Sequence, residues 1–315
     1  MRSDYFNKRT EQGVLRISIA ATVIVAVVGI ILGLLARSSL IIFDSVYEMV
    51  DVFMTYLALL VAKLITASTS GGKMKEKLAE RFTMGFWHLE PIVLALNGLL
   101  LMSAAIYALV NATDSLLSGG RYIVFGYASA FAALSIVVEL CLGIFVVRAN
   151  RVIRSDLVSL DAKAWLMSAA MSLAYLFAFS FGYFAEQTSW AWVVPFIDPV
   201  VLILVCLVMI PLPIGTVRKA LSEILLVTPE DLMAHVDNVA EEMMKRYGFD
   251  DYYAYVARVG RGRQIELYFL VPTGWPAKKL EEWDHIRDEI SEEIGDDTPD
   301  RWLTIVFTTD PEWAQ

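Results

Sequence analysis

The sequence predicts an α-helical membrane protein with six transmembrane helices, followed by a small cytoplasmic α+β domain of element order α-β-β-α-β. Hydrophobic residues make up 57% of the 315 residues, more than in an ordinary soluble protein. They are grouped in runs of roughly 20, the length that crosses a hydrocarbon layer about 30 Å thick. Because this pattern ends near residue 223, we divide the chain into a transmembrane domain, 1–222, and a C-terminal domain, 223–315.

The apolar runs and their flanking charges also predict an orientation. The runs lie at about 14–36, 39–66, 91–114, 123–148, 158–183 and 197–220. Basic residues concentrate before the first run and after the second, fourth and sixth: Arg2, Lys8, Arg9, Lys73, Lys75, Lys77, Arg81, Arg148, Arg151, Arg154, Arg218 and Lys219. Since basic loops stay in the cytoplasm, we expect a multi-pass protein of the cell (inner) membrane with both termini cytoplasmic.

The C-terminal domain is acidic and has the patterns of a soluble fold. From residue 223 onward it carries 21 acidic and 9 basic residues, which argues against nucleic acid as a partner. Thr228 as N-cap and Pro229 as first residue predict a helix over 230–247. The turn Gly260-Arg261-Gly262 predicts a hairpin between its neighbouring strands. The remaining elements follow from periodicity: strands 252–259, 264–271 and 302–308, and a helix over 276–294.

Three carboxylates lie within the second apolar run. Ionisable groups inside a bilayer cost several kcal/mol and mark functional sites. At about 100° per residue, Asp44, Glu48 and Asp51 share one helical stripe, with Tyr47 beside it. Unpaired carboxylates persist there by holding protons, binding a cation or facing water. The alternative for Asp44 is a position at the outer interface, which leaves only Glu48 and Asp51 buried.

Other polar residues accompany this stripe. Glu139 in the fourth run is the candidate for a fourth carboxylate facing the second, with a protonated packing role as the alternative. Asp161 and Lys163 open the fifth run and are interpreted as interfacial, with Ser168 one to two turns further in. Asp198 precedes a proline, so the simplest interpretation is a helix N-cap.

Several segments, in their order, resemble the cation diffusion facilitator family. Residues 44–51 (DSVYEMVD) resemble its D-x-x-[HD]-x-x-x-D signature. Residues 81–91 (RFTMGFWHLEP) resemble its R-[YF]-x-[YF]-G-H-x-[KR]-x-E-P element. The sixth run with Asp198, and the C-terminal domain with His285 and a closing Asp310-Pro311, are similar to the family as well.

This resemblance implies a homodimeric exporter that exchanges a divalent metal cation, usually zinc, for protons by alternating access. The family's transport site takes two ligands from the second span and two, H-x-x-x-D, from the fifth. In this sequence those positions hold Tyr47, Asp51, Ala164 and Ser168. The histidine that the family has in the fifth span is therefore missing. The family's cytoplasmic metal cluster is reduced to His285 and Asp310 at most.

The sequence therefore predicts an oxygen-rich cation site rather than a zinc site. The candidate ligands are the carboxylates Asp51, Glu48, Asp44 and Glu139 together with the hydroxyl of Ser168. Such a site suits Mn²⁺ or Mg²⁺, and Asp51 and Glu48 would also couple protons. The expected partners are the cation, the bilayer and a second copy of the chain, with no resident cofactor and no enzymatic motif. The alternatives are a transporter of another cation, a proton-linked site without metal, or a non-transporting regulatory relative whose membrane part is a scaffold.

Overall fold

The structure, a computed structural model, describes residues 11–69, 85–153 and 156–314. Most of the basic residues that predict the orientation lie outside these ranges: Arg2, Lys8, Arg9, Lys73, Lys75, Lys77, Arg81 and Arg154. The first four residues of the 81–91 element, 81–84, also lie outside them.

Long helices account for the apolar part of the chain. Their bounds are α1 Glu11–Ala36, α2 Ser39–Thr69, α3 Leu89–Leu117, α4 Phe125–Ile153, α5 Asp156–Ala185, α6 Ile197–Met209 and α7 Ile214–Ile224. Within the described residues, five segments are long and apolar enough to cross a membrane: Gly13–Ala36, Leu89–Leu117, Phe125–Ile153, Asp161–Ala185 and Ala191–Ile224. The helix outside this group, α2, has 31 residues and carries the three carboxylates. The six-span count therefore stays a prediction.

The predicted sixth span is not one continuous helix. A short 3₁₀ helix, Ala191–Phe196, leads into α6, and a turn over 210–213 separates α6 from α7. This turn contains Pro211 and Pro213. Proline lacks the backbone N–H and its ring clashes with the preceding helical turn, which explains why the helix stops at Met209.

Asp198 has a different role from the one predicted. It lies in the first turn of α6, whose N-cap residue is Phe196. Its carboxylate accepts hydrogen bonds from the Ser38 hydroxyl, at 2.5 Å, and from the backbone N–H groups of Ser39, at 3.0 Å, and Leu40, at 3.4 Å. Asp198 therefore caps α2 from another helix, where the positive end of the helix dipole favours a carboxylate.

The chain forms two compact units, which are described separately. The first contains Met1–Tyr56 and Asn97–Gly215, and the second contains Leu57–Leu96 and Thr216–Gln315. In the first unit, α4 and α5 share the most extensive helix–helix contact. Its core includes the fully buried side chains of Leu40, Ile41, Tyr175, Phe179 and Leu202, while many large apolar residues face outward. Outward apolar side chains are typical of lipid-facing helices.

The C-terminal elements follow the predicted order α-β-β-α-β. They are α8 Glu230–Tyr247, β1 Asp251–Val259, β2 Gly262–Leu270, α9 Leu280–Ile294 and β3 Arg301–Thr308. The sheet order is β1-β2-β3, antiparallel between β1 and β2 and parallel between β2 and β3. Ile265, Leu267 and Phe269 of β2 are buried in one core with Val236 of α8 and Ile290 of α9. The alternation in the β2 sequence is the signature of this one-sided burial.

The strand bounds differ from the prediction by one or two residues, and the starts of both helices differ in detail. The residue before α8 in the cap position is Pro229, and no side chain caps this helix, so Thr228 is not its N-cap. Helix α9 begins at Leu280 rather than at 276. Pro276 lies in the irregular segment before it. A proline disfavours the helical conformation of the residue that precedes it.

The hairpin turn of the second unit packs closely against residues 87–90. Gly260 has a φ of +59°, and a Cβ atom there would lie 2.9 Å from the backbone oxygen of Trp87. Glu90 accepts hydrogen bonds from the backbone N–H and the Nε of Arg261, at 3.2 and 3.1 Å. Both the left-handed backbone and the close approach require glycine at this position.

Candidate cation site

The carboxylate stripe lies on an unbroken helix, as predicted. Asp44 and Glu48 are half-buried, and Asp51 is exposed in the isolated chain. The Tyr175 hydroxyl donates to Asp44 Oδ1 at 3.2 Å, and Asn97 Nδ2 donates to Asp51 Oδ1 at 3.4 Å. Asp44 thus lies beside a buried tyrosine of α5. The donors that reach Asp44 and Asp51 are neutral, so these hydrogen bonds bring no positive charge.

A cavity of about 180 Å³ lies among α1, α2 and α5. Polar groups of all three helices line this cavity, so we take it as the candidate site. They are Ser18 and Thr22 of α1, Glu48, Asp51 and Thr55 of α2, and Asp161, Trp165 and Ser168 of α5. The cavity thus brings together three of the predicted site residues: Asp51, Glu48 and Ser168.

The family's ligand positions map onto this cavity in part. Asp51, Ala164 and Ser168 line it. Tyr47 instead packs against the core of the first unit, with its ring centroid 5.7 Å from that of Phe43. Of these four positions, only Asp51 offers a carboxylate, so an ion in the cavity would depend on neighbouring acids such as Glu48.

Glu139 and Asp44 are the two predicted site residues outside this lining. Glu139 is only 3% exposed, and the Ser172 hydroxyl donates to its Oε1 at 3.1 Å. Its other oxygen, Oε2, has no hydrogen-bond partner among the described residues. Glu139 interacts electrostatically with Asp44 and Glu48. It is thus close enough to the α2 carboxylates to interact with them, but it does not line the cavity, and its role as a fourth site carboxylate stays a prediction.

The partners Ser172 and Tyr175 were missed from the sequence. With Asp161, Trp165 and Ser168 they form a stripe on α5 at spacings of four, three, four and three residues. That spacing places side chains on one helical face. This spacing is visible in the sequence. Serines and a tyrosine are common in apolar runs, however, and they indicate a site only when a carboxylate is known to face them.

The interfacial interpretation of Asp161 stays a prediction, but the structure adds a contact that the sequence does not reveal. Asp161 lines the cavity, and the Ser18 hydroxyl donates to its Oδ1 at 2.8 Å. Its Oδ2 is buried without a hydrogen-bond partner among the described residues. Lys163, two residues later on the opposite side of the helix, is exposed.

The described residues hold no preassembled metal cluster. In the parts of the chain that the structure describes, no three His, Cys, Asp or Glu side chains form a group that could hold a metal ion. In the C-terminal domain His285 is exposed, and Asp310 accepts a hydrogen bond from the backbone N–H of Glu312. The cavity acids suit an ion that keeps part of its hydration shell, as Mg²⁺ does when one or two carboxylates bind it.

Comparison with known families agrees with the motif resemblance. Residues 15–225, more than half of the chain, match the family model described as the cation efflux transmembrane domain. Among curated proteins, none matches the chain significantly. The matched range includes every residue that lines the cavity.

Proposed function

The chain belongs to the cation efflux family, and from this premise we propose that it is a secondary transporter that exports a divalent metal cation from the cytoplasm in exchange for protons. It works as a homodimer in the cell (inner) membrane, with six spans and both termini cytoplasmic. Its domains are the transmembrane domain, 1–222, and the C-terminal domain, 223–315.

The cavity among α1, α2 and α5 is the observation that carries this proposal. Glu48 and Asp51 present two acids to a space of about 180 Å³ that also receives the hydroxyl of Ser168. In a helix with a purely structural role we would expect leucine at these positions, because a carboxylate inside the membrane costs free energy and marks a functional site. A cation that enters the cavity offsets both their desolvation and their mutual repulsion.

The ligand chemistry points to a hard cation. The polar side chains of this cavity offer only oxygen atoms, apart from the indole nitrogen of Trp165, which donates rather than accepts. Zinc favours imidazole and thiolate ligands. Carboxylates, hydroxyls and water suit Mn²⁺ and Mg²⁺, so we propose these as the substrate class, with Asp44 and Glu139 as adjacent carboxylates on the path.

Proton exchange follows from the same groups. A carboxylate binds either a proton or a cation at a given oxygen, so protonation of Asp51 and Glu48 competes directly with the ion. Alternating access then requires that the loaded and the protonated forms prefer different conformations. The proposal thus assigns both ion binding and proton coupling to Asp51 and Glu48.

A second candidate function is a non-transporting scaffold. Two observations favour it: Ala164 and Ser168 occupy the fifth-span ligand positions, and the described residues hold no preassembled metal group. In that case the acidic C-terminal domain would carry a regulatory or dimerising role. The retained acids of the cavity argue for transport.

Flux measurements separate the two candidates. The full chain is reconstituted in proteoliposomes that contain a pH-sensitive dye, and Zn²⁺, Mn²⁺, Mg²⁺, Fe²⁺ and Co²⁺ are added in turn. We expect metal-dependent proton movement with Mn²⁺ or Mg²⁺ above that of protein-free liposomes. No proton movement and no metal uptake across the whole panel would support the scaffold instead.

A further inference from the structure

We propose that Asp161 binds the transported cation in the cavity and supplies the negative charge that α5 lacks at Ala164 and Ser168. This inference rests on the proposed function and adds a residue that the family's ligand pattern does not contain. Asp161 lies one turn before Ala164 and two turns before Ser168. Residues at these spacings lie on one face of a helix.

The environment of the Asp161 carboxylate supports this role. It lines the same cavity as Glu48 and Asp51. One oxygen, Oδ1, accepts from Ser18 at 2.8 Å, while Oδ2 is buried and has no hydrogen-bond partner among the described residues. A buried carboxylate oxygen without a partner is costly, and a cation in the cavity would offset the negative charge of this carboxylate.

The Asp161 carboxylate is also held in position by its neighbours. Ser18 of α1 is 3% exposed and receives a hydrogen bond from Trp165 Nε1, one turn after Asp161 on α5. The Ser18 hydroxyl then donates to Asp161. This chain of donors fixes Oδ1, as outer-shell partners do for metal ligands, and so holds the carboxylate at the wall of the cavity.

The charge around the cavity also supports a role for Asp161 in cation binding. Asp161 adds a third carboxylate from a helix that faces α2. The neutral Ser18 hydroxyl does not compensate that charge. Because no three acids among the described residues are close enough to hold an ion together, we infer that the cation is bound through water as well as by direct contacts. This favours Mn²⁺ or Mg²⁺ over Zn²⁺.

The test uses the full chain, purified in detergent, with Mn²⁺ as the probe. Binding is followed by the loss of the free Mn²⁺ signal in electron paramagnetic resonance, and flux is measured in proteoliposomes. We expect Asp161→Asn, which keeps the shape and the Ser18 contact, to raise the Kd for Mn²⁺ by roughly 100-fold. Ser18→Ala, which removes both the donor to Asp161 and the acceptor of Trp165 Nε1, should raise it by about tenfold.

Two further variants control for folding. Asp114→Asn changes an exposed acid near the end of α3 and should bind Mn²⁺ like the wild type. Asp161→Glu keeps the charge and should retain most of the binding. If Asp161→Glu loses binding as fully as Asp161→Asn, the residue acts through packing and the proposal is wrong.

The outcomes also separate this inference from the proposed function. If Asp161→Asn binds and transports Mn²⁺ like the wild type while Asp51→Asn does neither, only the role of Asp161 is overturned. A wild-type chain that neither binds nor moves any ion of the panel would overturn both proposals. Loss of binding in Asp161→Asn with wild-type behaviour of Asp114→Asn supports the inference.

Discussion

The acids of the two compact units have different partners. In the second unit, Arg246 forms ion pairs with Glu289 and, at 2.6 Å, with Glu242. Arg261 likewise pairs with Glu90 at 3.1 Å. In the first unit the named donors to the carboxylates are neutral groups: Tyr175 to Asp44, Asn97 to Asp51, Ser172 to Glu139 and Ser18 to Asp161.

This difference separates acids that are already paired from the acids at the cavity, which await a ligand; Asp198 also has neutral donors but caps α2 instead. A carboxylate beside an arginine already has its cation, and its replacement changes stability by a small amount when the pair is exposed. A carboxylate with neutral donors keeps its charge available for a cation. Replacing the second kind should therefore alter ion binding without lowering stability, and the following predictions test this contrast.

The largest effect is expected for Asp51→Asn. The variant removes a charge from the cavity but keeps an oxygen for Asn97, so Mn²⁺ flux in proteoliposomes should fall by about two orders of magnitude. The melting temperature of the metal-free protein should stay the same or rise, because an isolated intramembrane charge is removed. Asp114→Asn is the matched control; full flux in Asp51→Asn would contradict the assignment.

Gly260→Ala should destabilise the second unit by about 1–3 kcal/mol through left-handed backbone strain and a close contact. Its Cβ would lie 2.9 Å from the Trp87 oxygen. Gly248→Ala is a close control, because Gly248 has a φ of +74° and nothing within 4 Å of the added Cβ. Thermal unfolding of both variants isolates the close contact. Equal losses would show that packing against Trp87 contributes nothing.

Ser172→Ala should cost about 0.5–1.5 kcal/mol, the usual range for an interhelical hydrogen bond in a membrane. It leaves the 3% exposed Glu139 without its serine donor. Ser180→Ala, further along α5, serves as a comparison. Urea-dependent loss of helicity in detergent measures the difference, and identical curves for the two variants would argue against a role for this bond.

The smallest effect is a pH-dependent one in the C-terminal domain. The Tyr247 hydroxyl, followed by Arg246, lowers the pKa of Glu289 below its ordinary value of 4.5. A carboxyl whose pKa is lower in the folded state contributes stability above its unfolded pKa and loses it as the pH falls through the folded pKa. Glu289→Gln should thus lower the melting temperature slightly at pH 7, and the difference should shrink as the pH falls below 4.5 and through the lowered pKa of the folded state.

Glu292→Gln, an exposed position on the same helix, is the control for that experiment. Its melting temperature should follow the wild type at both pH values. If the melting temperature of Glu289→Gln falls further below that of the wild type as the pH is lowered, the effect has the wrong sign. That result would contradict the role of the Arg246–Glu289 pair.

Periodic features of the molecule could be predicted from the sequence because each depends on one element. The shared stripe of Asp44, Glu48 and Asp51 follows from the helical repeat alone. The two-residue turn Gly260-Arg261, with Val259 opposite Gly262 in the sheet register, follows from local turn chemistry. Pro211 by itself predicts the helix break before it, but the continuous apolar run around it favoured a single span.

Features that depend on which helix faces which could not be predicted. Asp198 caps a helix that starts about 160 residues earlier, and no local signal identifies that recipient. For Asp161, hydropathy reports depth along a span but not the direction of the side chain, so its place in the cavity lining could not be predicted. Only the packing of α1 against α5 reveals Ser18 as its donor.

The central claim, that a divalent cation binds in the cavity among α1, α2 and α5, has one most direct test. Crystals of the full chain grown with Mn²⁺ would be measured for anomalous scattering. We predict a peak within the cavity, within about 2.5 Å of a carboxylate oxygen of Asp51 or Glu48. A peak only elsewhere, or no peak at an Mn²⁺ concentration that supports flux, would contradict the claim.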